Sequence, residues 1–170
     1  MFAIRKITQR YDPEQDRIGL TAQNDEGRVL LLWLTQRLTN RLVGKLASWL
    51  DEDVKTMPSG RPMFSPHAWE QSSAEVQLKP DRPVDAAAVQ GEALLTAVDL
   101  ARDPSGYTLT FKWGSAGAAR LRLNPTELRQ SLIILHRLFD TAGWPKHAWP
   151  EWFAAGEGSG ASSTTHHVLH

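Results

Sequence analysis

The sequence predicts an α+β protein: an antiparallel β-sandwich or curled barrel of six to seven strands with a C-terminal helix. Two groups of alternating strands flank a helix with a regular leucine row, and a well-capped helix follows the second group. One domain is expected over residues 1–153, with a helical insertion at about residues 35–90 between the strand groups. Residues 154–170 are rich in Gly, Ser and Thr and are expected to be disordered.

The first strand group is predicted to be a three-stranded meander. Its strands are Phe2–Arg10, Arg17–Gln23 and Arg28–Leu34, separated by turns rich in Asp, Asn, Pro and Gly. The second strand alternates apolar and polar residues, as a half-buried antiparallel strand does. Because Arg28–Leu34 is apolar on both faces after Val29, this strand is expected to be internal, with cover on each side.

A leucine row defines the helix that follows. It recurs every four residues, which is the spacing of one helix face rather than of a strand: Leu34, Leu38, Leu42, Leu46 and Leu50. Thr35 is the expected N-cap, and the helix is expected to extend to Asp51 with its leucine face buried. The following segment holds five of the ten prolines, but Ser65-Pro66 predicts a short helix of about two turns that carries Trp69.

The second strand group is predicted as Glu92–Ala101, Tyr107–Trp113 and Ala118–Leu123, the first two forming a hairpin. The final helix has the most complete start signal in the chain. Asn124 is the expected N-cap, Pro125 is at the first helical position, and Glu127 completes a capping box. Gly143 should end the helix and place Trp144 against Phe139.

Composition narrows the function classes. Lys+Arg 19 balances Asp+Glu 19, which argues against a dedicated nucleic-acid binder or a polybasic membrane protein. No cysteine is present, so disulfides, thiolate nucleophiles and Cys-ligated metals are excluded. The sequence has neither a signal-peptide pattern nor an apolar run of about 18 residues, and the protein is therefore expected to be cytoplasmic.

No residue pattern reaches the level of a catalytic motif, so we expect a protein that is not an enzyme and that has no cofactor or metal. His166, His167 and His170 have a ligand-like spacing, but they lie in the low-complexity terminus. Asp51-Glu52-Asp53 is interpreted as a solvated loop at a helix end. His136 is expected at the surface or boundary of the final helix rather than as a general base.

The C-terminal aromatic residues suggest a protein interface. The residues assigned to it are Ile134, Trp144, Trp149, Trp152 and Phe153, and a second copy of the chain is the favoured partner, giving a homodimer. The final helix has more apolar surface than one sheet face requires. The alternative is that the aromatic segment folds back and covers this surface within the same chain.

Arg37, Arg41 and Lys45 form the one ordered basic stripe, at the border of the leucine row. In the alternative interpretation of the protein, as a nucleic-acid-associated accessory protein, they would contact phosphates. Their simpler interpretation is a solvated face whose aliphatic stems cover the edge of the leucine row. The favoured function is a non-enzymatic scaffold that supports protein–protein interaction or assembly.

The order of elements, together with the stretch DRIGLTAQNDEGRVLLLWLTQRLTNRLVGKLASWL, resembles the head domain of the end-joining scaffold proteins. This is the family of the X-ray cross-complementing DNA-ligase partner and the centriolar cartwheel protein, and the stretch also resembles uncharacterised bacterial proteins of that fold. The resemblance covers about residues 1–143 and is topological. In that family the last head helix continues into a dimerising coiled coil, whereas Gly143 and Pro145 stop the helix here.

Overall fold

The computed structural model describes residues 1–56, 66–78 and 82–154, with side chains as far as Phe153. The strands are β1 (Phe2–Ala3), β2 (Lys6–Asp12), β3 (Arg17–Gln23), β4 (Val29–Leu34), β5 (Val89–Leu94), β6 (Ala97–Asp103), β7 (Gly106–Trp113) and β8 (Gly117–Leu123). The helices are α1 (Gln36–Lys55), α2 (Pro66–Val76), α3 (Pro125–Ala142) and the short α4 (Glu151–Ala154). A 3-10 turn, Ala86–Ala88, leads into β5.

The strands form two four-stranded mixed sheets, in the orders β2-β3-β4-β5 and β1-β8-β7-β6. The α+β class and the helices between the two strand groups agree with the sequence. The finer prediction of six to seven antiparallel strands is corrected: eight strands are present in the described chain, β1 pairs with β8 in parallel, and β5 pairs with β4 in parallel. The sheets do not close into a barrel.

The first of the predicted long strands breaks because the backbone changes sheet. The N–H of Ile4 donates to Arg120 O in one sheet, and the N–H of the next residue, Arg5, donates to Gln23 O in the other, both over 2.8 Å. Phe2–Arg10 is therefore two strands rather than one.

The predicted strand Glu92–Ala101 breaks in the same way. Leu95 N–H donates to Trp33 O over 3.0 Å, and Thr96 N–H donates to Lys112 O over 2.9 Å. The chain thus passes between the sheets at two places, once near its start and once after β5.

The two halves of the chain have the same architecture. Strands β1–β4 followed by α1 correspond to β5–β8 followed by α3. In each half the last three strands form an antiparallel meander, while the first strand joins the sheet of the other half. The chain is therefore built as two equivalent β-β-β-β-α units that exchange their first strands.

The strand register makes this equivalence quantitative. Phe2 pairs with Ala119, and Gly91 pairs with Leu30, so that a shift of 89 positions converts each pair into the other. The same shift converts the pair Ile18–Leu34 into Tyr107–Leu123. The two units are thus related by a pseudo-two-fold arrangement of their backbones.

A single hydrophobic cluster joins both sheets to the helices. It combines inward-facing strand residues with the buried faces of α1 and α3, including Leu20, Leu32, Leu109, Phe111, Leu42, Leu46, Leu50, Leu128, Leu132 and Phe139. The predicted leucine face of α1 is buried apart from Leu38, which is half-buried. Burial of this apolar surface is the main stabilising contribution to the fold.

Strand β4 is internal and covered on both sides, as its sequence predicts. Its inward residues join the core, while Trp33 and Leu31 are buried on the outer face. The segment after α2 crosses this outer face, where Val84 N–H donates to Thr8 Oγ1 over 2.9 Å. Gly19 lies beneath Trp33, and a Cβ there would approach the indole ring to 3.1 Å.

The helix ends follow the sequence signals. Thr35 Oγ1 accepts from Leu38 N–H over 3.2 Å, and the capping box of Asn124 and Glu127 is complete. Gly143 ends α3 with φ 65°, which places the N–H of Trp144 on Phe139 O at 3.0 Å. No helix in the described ranges is both long and apolar enough to cross a membrane.

Candidate interaction surfaces

The C-terminal aromatic segment, Trp144–Phe153, folds back onto α3. Trp144, Trp149 and Phe153 keep only 6%, 9% and 4% of their surface exposed, whereas Trp152 and Ile134 are half-buried. The three most buried rings join the hydrophobic cluster of the same chain. These three rings therefore belong to the core of their own chain.

Trp144 is held by one polar and two aromatic contacts. Its indole N–H donates to Asp16 Oδ1 over 2.8 Å. Its ring meets Tyr11 and Phe139 edge-on, with ring centroids 5.8 and 5.2 Å away. The hydrogen bonds from Trp144 and from the Tyr11 hydroxyl lower the pKa of Asp16 because they favour the carboxylate form.

His136 lies under the same segment. Only 2% of its surface is exposed, and its ring contacts Trp149 at 4.8 Å and Phe153 at 5.1 Å between centroids. The expected surface or boundary position of His136 is therefore wrong. The cover comes from residues that follow α3 in the chain, so the periodicity of the helix alone cannot reveal it.

A polar cluster lies where the C-terminal end of α1 meets α2 and α4. Asp51 Oδ1 accepts from Trp152 Nε1 and contacts His67 Nε2, each at 2.9 Å. The rings of His67 and Trp152 stack at 4.1 Å with an angle of 8° between their planes. Burial and the charge of Arg129 lower the pKa of His67, while Asp51 opposes this shift. A lower pKa favours the neutral imidazole, and His67 Nε2 faces Asp51 Oδ1.

Arg129 is the most deeply buried charge of this region, with 3% of its surface exposed. Its guanidinium lies 5.7 Å from the Trp152 ring, and Nη1 has no hydrogen-bond partner among the described residues. Burial lowers the pKa of Arg129, and the charge of Glu70 is the largest effect that opposes it. Sequence analysis did not identify Arg129. Its only signal was its position beside Leu128 on the apolar side of α3.

Asp53, close to Asp51 on α1, also contacts residues of other elements. Asp53 accepts from the Tyr107 hydroxyl and pairs with Arg102 at 3.2 Å. Burial and the hydrogen bond to Asp53 raise the pKa of Tyr107. Asp51-Glu52-Asp53 is thus the last part of α1 rather than a solvated loop, and it ties α1 to its neighbours.

The described residues contain no group of three or more side chains able to hold a metal ion. The histidines 166, 167 and 170 lie outside that part of the chain.

Arg37, Arg41 and Lys45 lie on the exposed side of α1. Lys45 Nζ is 5.3 Å from the centroid of the Trp49 ring. Within the described ranges Arg37 and Arg41 have no ion pair and no side-chain hydrogen bond. The helix therefore presents these two guanidinium groups to solvent.

Helix α2 exposes an apolar patch that sequence analysis did not single out. Trp69 is 58% exposed and Val76 is 86% exposed, and their spacing of seven residues puts them on one side of the helix. On the opposite side Gln71 and Ala74 are buried. We call the surface formed by Trp69, Ser72, Ser73 and Val76 the α2 patch.

The structure defines an α+β protein of two exchanged units with two candidate surfaces, the α2 patch and the basic side of α1. Comparisons with protein-family models, with curated proteins and with solved structures find no match to this chain. The resemblance to the head domain of the end-joining scaffold proteins stays a prediction from topology.

Proposed function

We propose that the protein is a non-enzymatic assembly module that binds a second copy of itself through the α2 patch. The observation that carries this proposal is the exposure of Trp69, 58%, beside Val76, 86%, on one side of a helix. Tryptophan is enriched among the residues that dominate binding energy at protein interfaces. Ser72 and Ser73, which are uncharged, are the residues between them on this side of α2.

A two-fold axis suits this patch. Seven helical residues rise about 10.5 Å, so two antiparallel copies of α2 place Trp69 of each over Val76 of the other. The opposite side of α2 is fixed to α3, where Gln130 Nε2 donates to Ala74 O at 3.1 Å and Arg137 pairs with Glu75 at 2.5 Å. The patch is therefore presented by an anchored helix.

Charge does not oppose the contact. The formal net charge of the chain is zero, so two copies meet without net long-range repulsion. The burial of Trp144, Trp149 and Phe153 within their own chain favours α2 over the C-terminal aromatic segment as the place of self-association.

Light scattering over a concentration series up to tens of micromolar tests this proposal. The parent should be a dimer, and both Trp69→Ser and Val76→Ser should shift it to monomer. Leu94→Ser is the matched control, because Leu94 is also an exposed large apolar residue, at 43%, but lies on β5. A monomeric parent, or a dimer that survives both α2 substitutions in folded protein, refutes the proposal.

A further inference from the structure

The repeat relates the two long helices position by position. Thr35 and Asn124 cap α1 and α3 directly after the last strand of each unit, and they are separated by the same 89 positions as the paired strands. The buried positions correspond as well: Val43, Leu46 and Leu50 in α1 match Leu132, Leu135 and Phe139 in α3. A surface found on one helix therefore has a defined counterpart on the other.

One side of α3 packs against α2, and its residues have counterparts on α1. Gln130 donates to the backbone of α2, Arg137 pairs with Glu75 of α2, and Ile133 between them is 5% exposed. Residues at these three spacings lie along one line of the helix. This line of α3 is a seat for another helix.

On α1, the counterpart line is Arg41, Gly44 and Ser48. Arg41 and Ser48 are exposed and Gly44 is half-buried. A Cβ built on Gly44 meets no atom within 4 Å, so the space beside it is open in the described structure. A residue without a side chain at the centre of such a line lets another backbone approach closely. Among the described residues, the seat that α2 occupies on α3 is thus open on α1.

The chemistry of the two seats differs. The α1 line contains Arg41 and is flanked by Arg37 and Lys45. The counterparts of Arg37, Arg41 and Lys45 on α3 are the uncharged residues Thr126, Gln130 and Ile134. Arg37 and Arg41 have no acidic partner in the described part of the chain. An occupant of the α1 seat therefore has to carry negative charge at helical spacing.

We propose that the basic side of α1, formed by Arg37, Arg41, Gly44, Lys45 and Ser48, binds an acidic amphipathic helix of a partner protein. The partner helix lies along α1 as α2 lies along α3, with its small or apolar residues over Gly44 and its carboxylates on the two arginines and the lysine. The contact resembles helix-in-groove recognition, in which a few anchors at helical spacing set the partner. This proposal is independent of self-association through the α2 patch.

Two observations favour a helix over a nucleic acid. First, the equivalent side of α3 packs against a helix, α2. Second, the whole chain has a formal net charge of zero, without the positive balance that is typical of nucleic-acid binders. Phosphate contacts also need no gap of the kind found at Gly44, because long basic side chains reach the phosphates themselves.

Fluorescence anisotropy with the full chain tests the proposal. The probes are a labelled helical peptide with Glu at every fourth position beside an Ala/Leu stripe, a scrambled peptide of the same charge, and 20-nucleotide single- and double-stranded DNA. We expect the helical peptide alone to bind, with affinity at least tenfold lower for Arg41→Glu. Gly44→Leu should weaken binding similarly while folding normally, since a side chain there meets open space.

Arg120→Glu is the matched control, because Arg120 is an exposed arginine on β8, and its substitution should leave peptide binding unchanged. Binding of DNA in place of the peptide, with affinity that falls steeply with salt, would overturn the proposal in favour of a nucleic-acid surface. Equal binding of the scrambled peptide, or no binding of any probe, would also overturn it.

Discussion

The indole N–H of Trp144 donates a hydrogen bond to Asp16 Oδ1 over 2.8 Å and so links the segment after α3 to the turn between β2 and β3. Trp144→Phe removes this donor but keeps a ring against Tyr11 and Phe139. We expect the free energy of unfolding to fall by at least about 1.5–3 kcal/mol, the net value of a hydrogen bond to a charged group, because the smaller ring also gives up buried volume. Urea denaturation measures it, with Trp113→Phe as the control.

The pKa of His67 is lowered in the folded protein, by burial and then by Arg129. The unfolded chain therefore takes up the proton first, and the contribution of neutral His67 to stability is complete above about pH 6.5 and is lost as the pH falls below that value. Between pH 7.5 and 5.5, the melting temperature should fall less for His67→Gln than for the parent. An equal fall in melting temperature for the two proteins would contradict this. His147→Gln, at an exposed position, is the control.

Leu42 is 5% exposed within the hydrophobic cluster. Leu42→Asp places a carboxylate there without a partner, at a cost of several kcal/mol against a total stability of only about 5–15 kcal/mol. We expect the variant to lose the cooperative thermal transition seen by circular dichroism. Arg41→Asp, one position along on the exposed side of α1, should melt close to the parent, and a Leu42→Asp variant that does the same would show that this face is not buried.

Truncation after Gly143 removes Trp144, Trp149 and Phe153 and uncovers His136 and Phe139. We expect the shortened chain to aggregate or to lose several kcal/mol of stability, because each lost aromatic ring costs about 3–5 kcal/mol. Light scattering and thermal unfolding report these outcomes. A truncated chain that is a stable monomer would show that the segment does not cover the core.

The helices could be predicted because their signals are local. Thr35, Asn124, Glu127 and Gly143 each act on backbone groups within one turn, so the sequence around them is sufficient. The changes of sheet after β1 and β5 could not be predicted. Their partner strands lie in the other unit of the chain, and the strand pattern continues through both crossings.

The repeat is hidden for a related reason. Trp33 and Leu31 on the outer face of one sheet correspond to Arg122 and Arg120 on the other. One face is covered by the segment around Val84, whereas Arg120 and Arg122 are exposed, so the side chains diverged in polarity while the backbone pairing stayed equivalent. The repeat is therefore visible in the backbone pairing of the two units but not in their residue types. The same reasoning explains why Arg129 and the α2 patch were missed, since their burial and exposure depend on distant segments.

The exchange of first strands also bears on synthesis at the ribosome. When the first unit has emerged, β1 still lacks β8, and the edge of β4 that will receive β5 is unpaired. Unpaired strand edges are templates for aggregation, and such partly formed species are those that chaperones protect. Each sheet takes one strand from the other unit, so neither sheet can be completed until the second unit has been translated.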